Sequence, residues 1–225
     1  MLIQAVSLTL SLALAPPPAV TSERGALRPL VELSLERVRL ADKVAAAKWG
    51  TTQPIDDPAR ERQVLSDVAA RSTTLGLDPA VTTRIFRDQI EASKLVQRAL
   101  HARWRSHPGE QPTDRPDLAK EVRPHLDRIT GELLLAIKGS ERIRERPSCR
   151  RKLNRTTTKV IDDQDPGTLR TRGLTRALAT FCERRPIGPN VRVAHASNGQ
   201  IAGGDTSAHP GADLRRARSK HPSFG

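Results

Sequence analysis

The chain has 225 residues, 36% of them hydrophobic and 2% aromatic, with no tyrosine, so its core must be aliphatic and a stacking platform for single-stranded nucleic acid is nearly excluded. Its 38 Lys and Arg against 25 Asp and Glu leave a net charge of +13, which favours anionic partners without choosing among nucleic acid, a membrane surface and small dianions. Two cysteines and six scattered histidines show no zinc-like spacing, which argues against a structural metal site.

The first 26 residues read as a signal peptide or N-terminal extension. Leu2 to Ala15 is an apolar run closed by Pro16-Pro17-Pro18, shorter than the roughly 20 residues a membrane-spanning helix needs. It lacks the basic n-region of a secretory signal, so export competes here with a cytosolic extension.

From residue 27 to residue 185 the pattern is helical throughout. Leu27, Leu30, Val31, Val38, Ala41 and Ala45 step at three and four, which predicts a long helix ending near Trp49. Asp-Pro then recurs as a helix-start signal at Asp57-Pro58, Asp78-Pro79 and Asp165-Pro166. Aspartate accepts hydrogen bonds from the first free N–H groups, and proline loses nothing at the first helical position. The second helix is expected from Pro58 to Leu75, stopped by Gly76, and the third from Pro79 to about Trp104. After a Pro-rich linker at 108–116, a fourth helix carries Leu126, Ile129, Leu133 and Ile137, with Pro124 at its start or at a kink. Two more, about Pro147–Asp163 and Pro166–Arg184, complete six helices. No stretch alternates as a strand would. The fold class is all-α.

Residues 186–225 are rich in Gly, Pro, Ser, His and Arg and end with a basic cluster from Arg215 to Lys220. Such a segment cannot bury enough surface to offset its ordering entropy, so a disordered basic tail is expected. A nucleic-acid-binding tail is the functional alternative.

Charges that fall where a helix should be apolar carry the functional signal. Arg37 and Lys48 are eleven residues apart, and eleven steps of about 100° return to nearly the same face. Both either reach solvent, pair with Asp42 and Glu36, or await an anion supplied from outside. Asp57, Arg60 and Glu61 crowd the first turn of the second helix, where acids also serve as plain caps. Ser93 and Gln97 project from one face of the third helix at i, i+4.

In this order and spacing, R-x10-K-x8-D-x2-R-E followed by S-x3-Q, the sequence resembles the all-helical AroQ-type chorismate mutases. More narrowly, it is similar to their secreted, two-cysteine subclass. The likeness runs through LERVRLADKVAAAKW (35–49), QPIDDPARERQVL (53–65), LDPAVTTRIFRDQIEASKLVQ (77–97) and PDLAKEVRPHLDRITGELL (116–134) and ends with Cys149 and Cys182. It implies a six-helix, type II-like single domain over residues 27–185. It also implies a site in which Arg37 grips a substrate carboxylate and Lys48 contacts the ether oxygen and a carboxylate. Asp57 and Glu61 would sit near the ring hydroxyl with Arg60 beside them, Ser93 would bind a carboxylate, and Gln97 would be the second donor to the ether oxygen. The last cation depends on register. A gapless match places Val122 there, one extra residue brings in Arg123, and Lys120 is the fallback one turn earlier.

The resemblance further implies conversion of chorismate to prephenate without cofactor or metal, a homodimer whose protomers each keep a whole site, and a secreted or periplasmic location, with the cytoplasm as fallback. No specific nucleic acid and no stable membrane span are expected. The two-cysteine subclass implies a Cys149–Cys182 disulfide, which an antiparallel pairing of the last two helices would permit; two buried free thiols are the alternative. Two rival functions stand beside the mutase: a basic helical nucleic-acid-binding protein, and a catalytically degenerate mutase fold acting as an interaction module.

Overall fold

A computed structural model describes residues 25–183; the expected leader and the basic tail lie outside them, apart from the last residues of the leader. Six α-helices follow one another: α1 Arg28–Lys48, α2 Pro58–Thr74, α3 Pro79–Ser106, α4 Arg123–Arg144, α5 Cys149–Gln164 and α6 Gly167–Ala177. No strand occurs among the described residues, and no helix there is long and apolar enough to cross a membrane.

The helix starts have the expected cause at two of three places. Asp57 Oδ1 accepts from the Arg60 N–H at 3.0 Å, and Asp78 Oδ1 accepts from the Ala80 N–H at 2.8 Å. Asp165 behaves differently. It closes α5 in the left-handed region at φ 35°, and α6 begins with no side-chain cap. Helix α6 also stops at Ala177, short of the expected end, and the chain continues to residue 182 as turns.

Among the described residues helix α1 packs against α3, α4, α5 and α6. Leu30, Val31 and Leu35 on α1 are fully buried against Leu133, Leu134 and Ile137 of α4 and Phe86 of α3. Each such side chain contributes about 1.5–3 kcal/mol by leaving water. Helix α6 lies close in the groove between α1 and α3. A Cβ on Gly173 would stand 2.8 Å from Val38 Cγ1 and 3.1 Å from Val96 Cγ2. A polar pin holds the same place, where Gln89 Nε2 donates to Ser34 Oγ at 3.0 Å and to the Ala177 carbonyl at 3.1 Å. The Cys149–Cys182 disulfide, with Cα atoms 5.7 Å apart, ties the start of α5 to the turns after α6.

Between α3 and α4 the chain makes a short 3₁₀ turn at Pro108–Glu110 and then a wide π turn at Leu118–Val122. Asp117 caps this turn by accepting from the N–H groups of Ala119 at 2.7 Å and Lys120 at 3.1 Å. The Val122 N–H reaches back five residues to the Asp117 carbonyl at 3.3 Å, and the Arg123 N–H likewise reaches Leu118. Pro124 follows with no N–H to give, and α4 continues regularly from there. The wide turn holds one residue more than an α-turn would.

Candidate active site

A cavity of about 450 Å³ opens between α1, α2, α3 and the start of α4. Arg37 and Lys48 of α1, Asp57, Arg60 and Glu61 at the head of α2, Ser93 and Gln97 of α3, and Arg123 at the start of α4 all line it. Lys120 does not. Val122 is fully buried in the core while Arg123 faces the cavity, because the π turn carries the extra residue.

Arg37 is 8% exposed, and its Nη1 donates to Thr130 Oγ1 at 3.3 Å. Its Nε has no hydrogen-bond partner. The two acids beside it in sequence are engaged elsewhere, Glu36 with Arg128 and Asp42 with Arg170. Burial pushes the Arg37 guanidinium down to about 10, opposed by the carboxylate of Asp127. It is still a cation at neutral pH. A buried guanidinium without a carboxylate partner is costly unless an anion arrives to meet it.

Lys48 reaches across the loop between α1 and α2 to donate from Nζ to the Pro54 carbonyl at 2.7 Å. Burial holds its pKa below the ordinary 10.5; Asp57, Asp56 and Glu61 work against that fall, and Arg123 adds to it. Deeper along α3, Gln97 is 3% exposed and its Nε2 donates to Ser93 Oγ at 3.0 Å, leaving Oε1 buried without a partner. The i, i+4 pair read from the sequence is therefore a real contact, with one end of the amide unused.

With this geometry in place, likeness to other proteins becomes informative. The chain is 30% identical over 181 residues to the secreted chorismate mutase of Mycobacterium tuberculosis, spanning 80% of this chain and 90% of that protein. The chain belongs to the chorismate mutase family. The model of the family "Chorismate mutase type II" matches residues 28–98, the stretch from α1 to the Ser93–Gln97 turn of α3. The secreted chorismate mutase of Mycolicibacterium smegmatis is 33% identical over 64% of this chain and 79% of its own length. The crystal structure of chorismate mutase from Burkholderia thailandensis superposes with a TM-score of 0.68 at 39% identity, covering 70% of this chain and 99% of that one. The all-helical fold expected from the sequence is the fold shared with the Burkholderia thailandensis structure.

Several cavity residues escaped the sequence reading. Lys94, beside Ser93, is 9% exposed and sits among three carboxylates: Glu61 at 3.1 Å, Asp56 at 3.2 Å and Glu91 at 2.5 Å. Burial opposes its charge, but hydrogen bonds to Glu91, Glu61 and Asp56 outweigh burial and hold its pKa above the ordinary range. Arg98 also reaches Asp56, at 2.6 Å, so α3 clamps the loop that carries Asp56 and Asp57. The available signal was a lysine between Ala92 and Val96 on a helix that buries both. Asp67, Arg71, Asp127 and Thr130 also line the cavity, and no local motif marks them.

Proposed function

We propose that this cavity binds chorismate and converts it to prephenate, with Arg37, Lys48, Asp57, Arg60, Glu61, Ser93, Gln97 and Arg123 as its working residues. The observation that carries the reading is the convergence of Arg37, Lys48 and Arg123 with the Ser93–Gln97 pair on one cavity. A dicarboxylate substrate needs separated cations. An intramolecular [3,3] rearrangement needs neither nucleophile nor proton transfer, only a held conformation and donors for the charge that develops as the C–O bond breaks.

Arg37, Arg123 and Ser93 hold the two carboxylates and so fix the enolpyruvyl arm over the ring. Lys48 and Gln97 face the ether oxygen as it gains negative charge. Lys48 exchanges its Pro54 carbonyl for that oxygen, and the two N–H groups of Gln97 Nε2 divide, one staying on Ser93 Oγ and the other meeting the ether oxygen, so that the Ser93 proton remains for the carboxylate. Asp57 takes the ring hydroxyl, with Arg60 beside it, while Glu61 is shared between that hydroxyl and Lys94. Water is excluded as the cavity fills, which strengthens each of these contacts.

The working unit spans residues 27–185 and acts outside the cytosol: the mycobacterial relatives bear the name secreted, and the disulfide fits an oxidising compartment. Two protomers associate, each with a complete site; light scattering should return twice the chain mass, with specific activity independent of dilution above the dissociation constant. The function is tested by following loss of chorismate ultraviolet absorbance with the purified chain and no added cofactor. Turnover with prephenate as the sole product is expected, and its absence from a folded chain refutes the reading.

A further inference from the structure

Arg71 lines the cavity without a role in the site as described so far, and Gly131 of α4 stands against it. Arg71 lies on the α2 face that carries Glu61, Val64 and Asp67, all of which line the cavity, so the wall continues about 15 Å along α2 from Glu61. Asp67, one turn earlier, accepts from Gln63 Nε2 at 2.9 Å. Among the described residues no carboxylate stands within ion-pair distance of the Arg71 guanidinium.

The seat of this guanidinium is built into α4. A Cβ placed on Gly131 would stand 2.7 Å from Arg71 Nη2, so the arginine occupies space that any other residue would fill. Glycine inside a helix is weaker than alanine, and here it makes room for a cation. Thr130, the residue before it, accepts from Arg37 Nη1. Arg37 and Arg71 therefore rest over consecutive residues of α4, and neither has an ion-pair partner among the described residues.

We infer that Arg71 is a further substrate-binding residue, sharing with Arg37 one carboxylate of the ligand in this cavity. The inference rests on the chorismate reading above. A carboxylate offers about four lone-pair sites, and Arg37, with one nitrogen given to Thr130, fills at most two of them. The second guanidinium, on an exposed residue at the edge of the cavity, fills the lone-pair sites that Arg37 leaves open.

Steady-state kinetics on the full chain tests this. Arg71→Ala should raise the KM for chorismate about tenfold, with kcat within about twofold, the pattern of lost uniform binding. Arg71→Lys should recover part of the loss, since it keeps the charge but not the fork. Gly131→Ala should raise Tm through helix propensity and still raise KM, because its methyl displaces the guanidinium. The double variant should be no worse in KM than Arg71→Ala alone. Arg62→Ala removes an equal charge from another exposed position of α2, one that does not line the cavity, and should leave KM unchanged. An unaltered KM in Arg71→Ala, or an equal rise in Arg62→Ala, overturns the inference. A folded parent chain without turnover overturns the mutase reading, and this one with it.

Discussion

Replacing Gln97 by glutamate changes one atom and converts a permanent donor into a conditional one. The position is 3% exposed, and among the described residues its side-chain partner is Ser93 Oγ at 3.0 Å. Burial disfavours the ionised form, so the new carboxyl should titrate above the ordinary 4.3 or so of glutamate. Protonated, it donates to the ether oxygen as the amide does. Ionised, it faces the developing negative charge and donates nothing. Losing a donor of this kind costs about 3–4 kcal/mol, a factor of roughly 100 to 1000 in kcat. Two pH units above the midpoint only about 1% of sites keep the proton, which by itself gives a ~100-fold fall. The assay is chorismate depletion from pH 4 to pH 8 for parent and variant, with circular dichroism at each pH to show that the fold persists. The variant should be active at the acid end and decline with slope −1, while the parent shows no such limb from this position. A flat profile for the variant across that range removes Gln97 from the chemistry.

Lys48→Ala should lower kcat by a factor of 100 or more at full helicity, and a near-normal kcat would sink the oxyanion role. Because burial holds Lys48 below 10.5, kcat/KM of the free enzyme should fall on an alkaline limb centred below that value; a limb at or above it contradicts the assignment. Lys94→Met should destabilise the fold by about 1–3 kcal/mol at pH 7. The folded pKa of Lys94 is raised, so its contribution is full below the unfolded value of 10.5 and is lost only as pH rises through the folded one. An unchanged Tm at pH 7 would argue against the clamp. Reducing the disulfide, whose cysteines are 33 residues apart, should cost about 4 kcal/mol of stability in the chain-entropy model and leave kcat nearly intact. A Cys149→Ser/Cys182→Ser chain with parental Tm refutes that.

The order of the helices and the polar face of each were legible because local chemistry writes them. Asp57 and Asp78 each cap the helix that follows, and Gly76 stops α2 with φ 65°. Asp165 misled because the same dipeptide can close one helix as well as open another, and only the packing of α5 against α1 decides. The family spacing led to Arg37, Lys48, Asp57, Arg60, Glu61, Ser93 and Gln97, all of which face the cavity. Long-range pairings were not legible. Lys94 has a local partner in Glu91, but its burial is explained only when Asp56 and Glu61, more than 30 residues away, are added, and Arg71 is explained only by a glycine on α4. Thr130 carries no local mark, since its hydroxyl also meets the Leu126 carbonyl as many helical threonines do.

The wide turn at Leu118–Val122 bears on how working and dead relatives are told apart. It takes up one residue at the head of α4, directly after the Asp117 cap, and α4 continues regularly from Arg123. A gapless comparison therefore sets Val122 against a position where the family carries a cation, and an inventory of missing residues would file this chain among the pseudoenzymes. In three dimensions the valine is an interior side chain and Arg123 borders the cavity. Surveys that judge catalytic competence by matched columns should tolerate a single-residue shift wherever a helix can widen by one, and the marker to look for is an Asp cap followed six or seven residues later by proline.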